Sequence, residues 1–177
     1  MKNDLQKLAM DFWWTGDPWA NELWRDLDPY LWERLNHNPL AVLKEVNWEN
    51  ISEEWKEKAT ALLNRYQAFL NRSSVPSPSI AYFCMEFGIH ESFPIYSGGL
   101  GILAGDHIRS AGDAKLDFIG VGLFYKHGYF SQLIVGGRQA AGWPNYKDQP
   151  LPMTLVEKDG QALEIQIPLR NDVVSAV

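Results

Sequence analysis

Three glycines within four residues, at the start of a predicted helix, are the residues of this chain best suited to ligand chemistry. Gly98, Gly99 and Gly101 precede or open a segment whose apolar spacing predicts a helix over 99–114. Because glycine has no Cβ, a ligand can lie directly on the backbone there. The first turn of the helix adds unpaired N–H groups and the positive end of the helix dipole. This combination suits an anionic or hydroxyl-rich ligand, such as a phosphate or a sugar.

The spacing of these glycines by itself leaves three interpretations open. Besides a sugar or phosphate site, Gly99, Gly101 and Ala104 fit the G-x-G-x-x-A pattern of dinucleotide-binding folds. That pattern requires the glycines to follow directly on a strand, whereas residues 86–97 intervene here, and it requires an acidic residue at the end of the next strand, whereas Asp117 lies at the start of one. The third interpretation is a structural turn that binds nothing.

A few polar residues near this loop are further candidates. Glu86 ends the predicted strand 80–85, beside the cleft expected at the carboxyl ends of the strands, although a carboxylate there could also serve as a simple cap. Asp106 and His127 are possible cleft residues, whereas His107 lies near the apolar stripe of the helix and is predicted to be a core histidine. The four histidines and single cysteine are scattered, so the sequence supports no metal site.

Composition excludes several function classes. The formal net charge of -6 and the pI of about 5.2 argue against a nucleic-acid partner. No apolar stretch approaches ~18 residues, so no membrane span is predicted, and Cys84 is the single cysteine, which fits a cytoplasmic setting. Most of the eight tryptophans lie in the first 55 residues. Such enrichment indicates a large core or a platform for carbohydrate, and core is the more common outcome.

Residues 1–72 carry helical patterning with a repeated start signal. Asp17, Asp28 and Asn38 each precede a proline, which gives an N-cap followed by proline at the first helical position. Ser52 predicts the start of a longer helix. We therefore expect several short helices packed at angles, then a long one with an apolar stripe at helical spacing. That stripe consists of Trp55, Ala59, Leu62, Leu63, Tyr66 and Leu70.

Residues 73–79 hold two prolines and four serines, which predicts a linker. Beyond it, the pattern predicts a strand over 80–85, the helix over 99–114, and buried strands over 118–125 and 129–135. Strand, helix and strand in this order favour an α/β sheet with a parallel pair. One side of the helix is predicted to be buried through Leu100, Leu103, Ala104, Ile108 and Ala111.

The last part of the chain, within the predicted α/β region of residues 80–177, reads as strands. A turn at Asp159 and Gly160 between the segments 153–157 and 162–168 indicates a hairpin. Residues 171–177 resemble the start of an apolar strand that would leave a sheet edge unpaired. We therefore expect the chain to be a piece of a longer protein.

Three elements in this order resemble the N-terminal half of the α-glucan (glycogen, starch, maltodextrin) phosphorylases. The first is the glycine loop, the second is the Met-Glu-Phe element at 85–87, and the third spans 120–132 and includes Tyr125, Gly128 and Phe130. Residues 12–14 and 35–39 are similar, more weakly, to the helical region of the shorter bacterial and archaeal type. The helical region 1–72 would then precede the first part of a Rossmann-like lobe in a two-lobed GT-B glycosyltransferase fold.

The resemblance implies retaining phosphorolysis of α-1,4-glucans by inorganic phosphate, with pyridoxal phosphate as cofactor. Gly98, Gly99, Leu100 and Gly101 would bind phosphate and the terminal glucosyl unit through backbone N–H groups. Glu86 would line the active site and order water or substrate, and no residue of this segment is assigned as catalytic. The lysine that holds the cofactor, and the arginine and lysine that grip phosphate, are expected outside these 177 residues. The chain alone is therefore predicted to be inactive, and an oligomer is left open.

Two departures from the family pattern and two alternatives accompany this interpretation. Gly88 stands where many members carry an aromatic residue near the cofactor, and Ile102 stands where many animal-type members carry an arginine. Glycogen synthases have a similar Gly-Gly-Leu-Gly loop, so a transferase that uses a sugar nucleotide is one alternative. A stand-alone glucan-binding or regulatory module is the other.

Overall fold

The computed structural model describes residues 1–125, 127–143 and 150–176, which form a mixed α/β structure of helices and small sheets. We call residues 1–72 the helical region and residues 80–176 the strand region. The α-helices are α1 Lys2–Met10, α2 Pro18–Leu27, α3 Pro29–Arg34, α4 Pro39–Glu45, α5 Glu53–Leu70 and α6 Gly99–Asp113, with 3-10 helices at Phe12–Gly16 and Trp48–Asn50. No helix in the described part of the chain combines the length and apolarity needed to span a bilayer.

The predicted helix starts are confirmed. The side chains of Asp17, Asp28 and Asn38 accept hydrogen bonds from backbone N–H groups in the first turns of α2, α3 and α4, each with proline at the start of the helix. Ser52 caps α5 by accepting from the N–H of Trp55 at 3.1 Å. Each cap satisfies N–H groups that the helix itself leaves unpaired, which fixes where the chain changes direction.

A dense tryptophan core holds the helical region together. Trp14 and Trp24 are almost completely buried, with their rings edge-on at 6.4 Å, and Trp32 and Trp55 lie within the same cluster. The indole N–H of Trp55 donates to the carbonyl of Leu23 at 3.0 Å. The interpretation of the tryptophans as core is thus confirmed for these four, whereas Trp19 is 66% exposed.

The strand region begins with the predicted strand–helix–strand unit. β1 Ile80–Phe83 pairs in parallel with β2 Phe118–Val121, in the register Ile80 opposite Phe118, and α6 connects them. The predicted parallel pair is therefore confirmed. β2 is shorter than predicted, and it is not buried, because Ile119 is 63% and Val121 38% exposed.

The buried face of α6 differs from the predicted one. Ala104 and Ala111 are buried as expected, but Leu100 and Leu103 are 55% and 68% exposed. Gly101 and Gly105 take their place in the core. The reason is a backbone-to-backbone approach, since the N–H of Gly88 donates to the carbonyl of Gly101 at 2.7 Å.

The remaining strands form three two-stranded antiparallel sheets. They are β3 Ser131–Val135 with β4 Arg138–Gly142, β5 Glu157–Lys158 with β6 Gln161–Ala162, and β7 Ile165–Leu169 with β8 Asp172–Ala176. The turn at Asp159 and Gly160 is confirmed, and both residues have positive φ. The arms of this hairpin are shorter than predicted, because the segment 165–169 pairs with β8. The predicted strand 129–135 begins at Ser131 and is exposed throughout, so its predicted burial is wrong.

Several contacts join the helical region to the loop between β1 and α6. The Asn36 side chain donates to the carbonyl of Glu91 at 3.1 Å, and the ring of His37 hydrogen-bonds the Glu91 carboxylate. Asn38, which is buried, donates to the carbonyl of Pro150 at 2.9 Å. The segment 35–39, noted in the sequence for its resemblance, is therefore one of the parts of the helical region that contact the strand region, and the packing of Trp14 against His90 is another.

Candidate functional site

A cavity of about 280 Å³ brings together the three sequence elements that carry the family resemblance. Glu86 comes from the loop after β1, Ser97 and Leu100 come from the start of α6, and His127 and Tyr129 come from the segment after β2. This is the arrangement expected at the carboxyl edge of a parallel sheet, where loops from successive strands meet. The remaining described residues of its wall are Met85, Pro94, Tyr96, Tyr125 and Gly128.

The carboxylate of Glu86 lies on the N-terminus of α6. Its Oε2 atom accepts hydrogen bonds from the backbone N–H of Ser97 at 2.6 Å and of Gly98 at 3.3 Å, and the Ser97 hydroxyl lies 3.4 Å away. A negative charge in this position interacts favourably with the positive end of the helix dipole. Glu86 is therefore a capping carboxylate, and it also lines the cavity.

The glycines of the loop divide into two kinds. A Cβ on Gly98 or Gly99 would meet no atom within 4 Å, so both present open backbone. A Cβ on Gly101 would lie 2.6 Å from the Cβ of Tyr96 and 2.9 Å from Oε2 of Glu86. Gly101 is therefore required for the approach of the Glu86 carboxylate to the helix, whereas Gly98 and Gly99 leave room for a ligand.

Backbone N–H groups remain available beside the carboxylate. Among the residues that the structure describes, the N–H groups of Gly99, Leu100 and Gly101 donate no hydrogen bond. These are the first three residues of α6, whose N–H groups have no partner within the helix. A hydroxyl or phosphate oxygen that reached this turn would find donors already aligned.

Tyrosines are the site residues that the sequence interpretation missed. Tyr96, Tyr125 and Tyr129 all line the cavity, and the Tyr125 hydroxyl donates to the carbonyl of Met85 at 3.0 Å. That bond ties the segment after β2 to the end of β1. Tyrosine offers an apolar ring with a polar tip, which suits a sugar with C–H faces and hydroxyl groups. Tyr125 and Tyr129 lie within the third motif, so the motif could have predicted them as residues of the cavity wall.

The structure separates the two possible cleft residues. His127 lines the cavity, whereas Asp106 lies two turns along α6, is exposed, and is not part of the described wall. His107 is exposed rather than buried, so its prediction as a core histidine is wrong. Its ring packs on Tyr82 and Phe118 at centroid distances of 5.0 and 5.2 Å. The exposure follows from the shifted buried face of α6.

The described residues also bear on metal and cofactor binding. Within 1–125, 127–143 and 150–176, no group of three or more His, Cys, Asp or Glu side chains is placed to hold a metal ion. The described cavity wall offers no lysine amine for pyridoxal phosphate. A side chain at Gly88 would lie 3.0 Å from Ile102 and 3.1 Å from the Gly101 backbone, so this position contributes no aromatic contact.

Comparisons with known proteins identify the family. A family model described as a protein of unknown function, DUF3417, matches residues 2–93. A maltodextrin phosphorylase from Thermococcus litoralis is 35% identical over 97% of this chain and 22% of its own length. Glycogen phosphorylases from Mycobacterium tuberculosis and Aquifex aeolicus are 36% and 32% identical, over 96% and 98% of this chain. No solved structure matches the chain.

The match is nearly complete for this chain but partial for the relatives. The chain spans only 22% to 26% of the length of these curated relatives. The identity extends across both the helical region and the strand region, so it is not confined to the glycine loop. The chain therefore belongs to the DUF3417 family and corresponds to the N-terminal region of the α-glucan phosphorylases.

Proposed function

We propose that the chain acts as the N-terminal part of an α-glucan phosphorylase, which releases glucose 1-phosphate from α-1,4-glucans by retaining phosphorolysis. The observation that carries this proposal is the convergence of the three motif elements on one cavity. Relatives whose names state that they are maltodextrin or glycogen phosphorylases support it, since they match almost the whole chain. In this reaction the C1–oxygen bond of the terminal glucosyl unit breaks, a phosphate oxygen bonds to C1, and the departing sugar oxygen takes a proton.

The residues of this chain would bind and orient rather than react covalently. The N–H groups of Gly99, Leu100 and Gly101 would donate to oxygens of the glucosyl unit or of phosphate, which stabilises charge as it develops. Glu86 would accept hydrogen bonds from sugar hydroxyls or ordered water. Its negative charge opposes a phosphate dianion at the same turn, so phosphate binding requires cationic groups from another part of the enzyme.

The wider architecture that we propose follows the family. The helical region 1–72 and the linker 73–79 would precede residues 80–177 as the start of a Rossmann-like lobe of the GT-B fold. Pyridoxal phosphate would supply its phosphate group to the reaction from a lysine-bound position outside this chain. The proposed substrates are α-1,4-glucan and inorganic phosphate, and the proposed setting is the cytoplasm.

A phosphorolysis assay tests the proposed function. The longer protein that contains this chain, supplied with pyridoxal phosphate, maltoheptaose and inorganic phosphate, is expected to release glucose 1-phosphate, whereas the 177-residue chain alone is expected to release none. Transfer of glucose from ADP-glucose or UDP-glucose, without phosphate-dependent release, would replace the proposal with a synthase-type activity.

A substitution at Glu86 tests the proposed site within the same assay. Glu86→Gln keeps the shape but removes the charge that orders the start of α6, and we expect kcat/KM to fall at least about tenfold. Asp106→Asn removes a carboxylate from the same helix outside the described wall of the cavity, and it should leave kcat/KM unchanged. Equal effects of the two substitutions would contradict the assignment of the site.

A further inference from the structure

A second, larger cavity lies at the boundary between the helical region and the strand region. Its volume is about 610 Å³, against about 280 Å³ for the cavity beside the glycine loop, and the two share no described residue. The helical region supplies one wall from α1, the segment 11–16 and the end of α5, and the strand region supplies the other from Ile89 and the end of α6. A cavity of this size can enclose a small organic ligand.

Most of the wall of this boundary cavity is apolar, and three of its side chains are aromatic. They are Phe12, Trp13 and Phe69, and the rings of Trp13 and Phe69 lie 5.8 Å apart between their centroids. Aliphatic side chains complete the apolar part, namely Met10, Leu70, Ile89 and Ile108. Such a wall favours a ligand with a flat aromatic body, because contacts between rings add to the free energy gained by burying apolar surface.

Two glycines keep the boundary cavity open, Gly16 in the helical region and Gly112 on α6. Gly112 follows Ile108 by about one turn, so the two residues lie on the same face of the helix. An ideal Cβ on either glycine would meet no atom within 4 Å, and neither glycine has a positive φ. The backbone would therefore accept a side chain at both positions, and the space that a side chain would fill is open to a ligand.

Arg109 places an incompletely paired cation in this wall. Its guanidinium donates to the carbonyl of Ile89, whereas its Nε is buried and donates to no acceptor in the described part of the chain. Among the described residues, no carboxylate lies within ion-pair distance of the guanidinium. A buried donor on a charged group costs free energy unless an acceptor reaches it, so Arg109 favours a ligand with an anionic oxygen.

The other charged side chains of the wall limit the charge that a ligand can carry. Besides Arg109, the described wall has two cations and two carboxylates, which are Lys7, Lys115, Asp11 and Asp113. Both oxygens of Asp11 are engaged, one by the N–H of Trp13 at 2.9 Å and the other by the hydroxyl of Tyr66 at 2.6 Å. Three cations against two carboxylates suit a single negative charge, whereas the carboxylates would repel a phosphate dianion more strongly.

We propose that the boundary cavity binds a small organic monoanion with an aromatic body, namely an aryl carboxylate. Its carboxylate would accept hydrogen bonds from the guanidinium of Arg109, and its ring would pack against the aromatic side chains of the wall. Because the walls come from both regions, the bound ligand would hold the helical region against α6 and stabilise their contact.

Calorimetry with 2-naphthoate as the probe tests this site, on the 177-residue chain and on the longer protein that contains it. Both are expected to bind 2-naphthoate. The neutral 2-naphthamide has a similar shape and should bind at least about tenfold more weakly, because it carries no charge to pair with Arg109. Arg109→Gln should abolish this preference for the carboxylate. Arg72→Gln is the matched control and should preserve it, since Arg72 also donates to a backbone carbonyl but lies outside the described wall.

A second variant fills the cavity and leaves Arg109 in place. Gly112→Leu should weaken the binding of 2-naphthoate at least about tenfold, because the new side chain occupies space that the probe needs. The added Cβ meets no neighbouring atom, so the fold should be retained. Ser110→Leu adds a leucine at an exposed position of α6 outside the described wall, and it should bind 2-naphthoate as the original chain does.

Failure of both proteins to bind 2-naphthoate would overturn the proposal, as would equal binding of 2-naphthamide or a preference for the carboxylate that survives in Arg109→Gln. Unchanged binding to Gly112→Leu would place the probe elsewhere and would also overturn it. Binding by the 177-residue chain with none by the longer protein would show that other parts of the protein cover the cavity, which again contradicts the proposal. Phosphorolysis takes no part in these measurements, so each of these results would leave the proposed function unaffected.

Discussion

The helical region and the strand region bury their apolar side chains to very different extents. In residues 1–72, the large hydrophobic side chains that remain exposed are Met1, Trp19, Tyr30 and Leu70. In the strand region, β1, β2, β3, β7 and β8 each expose at least two. Short helices complete a core from neighbours in sequence, whereas strands need partners on both edges and both faces. The strand region therefore has apolar surface available for further packing.

The largest expected effect is a leucine truncation that compares the two regions directly. Leu8 is completely buried in the helical core, and Leu8→Ala should lower the free energy of unfolding by about 2–5 kcal/mol. Leu103→Ala makes the same change on α6, where the side chain is 68% exposed, and should stay within about 0.5 kcal/mol. Urea denaturation measures both free energies of unfolding. Equal losses would contradict the difference in burial between the two regions.

A pair of glycines within α6 extends the comparison to a tightly packed part of the strand region. A Cβ on Gly105 would lie 2.1 Å from the carbonyl oxygen of Gly88, so Gly105→Ala should cost about 3 kcal/mol. Gly112 has no atom within 4 Å of its ideal Cβ, so Gly112→Ala should stabilise the helix by up to about 1 kcal/mol. A thermal melt that ranks Gly105→Ala at or above Gly112→Ala would show that the backbone contact is absent.

The sequence predicted the helical region more fully than the strand region, for a physical reason. Caps act over three residues, so Asp17, Asp28 and Asn38 could be assigned as helix starts from the sequence. The buried face of α6 depends on the loop at Gly88, which approaches from outside the helix, and a stripe of leucines gives no sign of it. Apolar periodicity therefore predicted Ala104 and Ala111 correctly but wrongly added Leu100 and Leu103 to the buried face.

The candidate site shows the same limit. Glu86, which was predicted from its motif, and His127, which was predicted from its neighbours, line the cavity, whereas Gly98, Gly99 and Gly101 are not among the described residues of its wall. Tyr96 was missed because its role depends on Gly101, five residues away on a different element. The contacts of Asn36 and His37 with Glu91 join residues more than 50 positions apart, and no local pattern specifies such pairs.

The pH dependence of stability tests the contact between the two regions. His90 packs on Trp14 at 4.6 Å, and burial lowers its pKa from 6.5 to about 4. Because the folded state favours the neutral ring, the contribution of His90 to the stability of the fold is complete above pH 6.5. It is lost as the pH falls towards 4. Because the ring is partly exposed, we expect the free energy of unfolding to fall by only about 2 kcal/mol over this pH range.

Two variants isolate this contribution. His90→Gln does not titrate, so its free energy of unfolding should fall less between pH 7 and pH 4.5, whereas His127→Gln should follow the original chain. His37 acts in the opposite direction. Burial alone would lower its pKa, but hydrogen bonds with Glu91 and Glu33 outweigh it and raise the pKa. Its contribution is therefore present at low pH and is lost as the pH rises through the raised value.

The last prediction concerns Asn38, whose side chain bonds to both regions. Its Oδ1 accepts from the N–H of Ala41 at 3.2 Å, and its Nδ2 donates to the carbonyl of Pro150 at 2.9 Å. Asn38→Asp keeps the cap of α4 but replaces the donor with a buried carboxylate that faces the Pro150 carbonyl, so it should cost more than the roughly 1 kcal/mol of one lost hydrogen bond.

Asp28→Asn provides the control for this substitution, because Asp28 accepts one bond from Leu31 and asparagine caps equally well. Hydrogen exchange then locates the loss. If the bond to Pro150 joins the two regions, Asn38→Asp should speed exchange near residues 150–153 and leave α4 protected. Faster exchange in α4 alone would mean that Asn38 acts only as a cap, and that other contacts, such as those of Glu91 and His90, hold the two regions together.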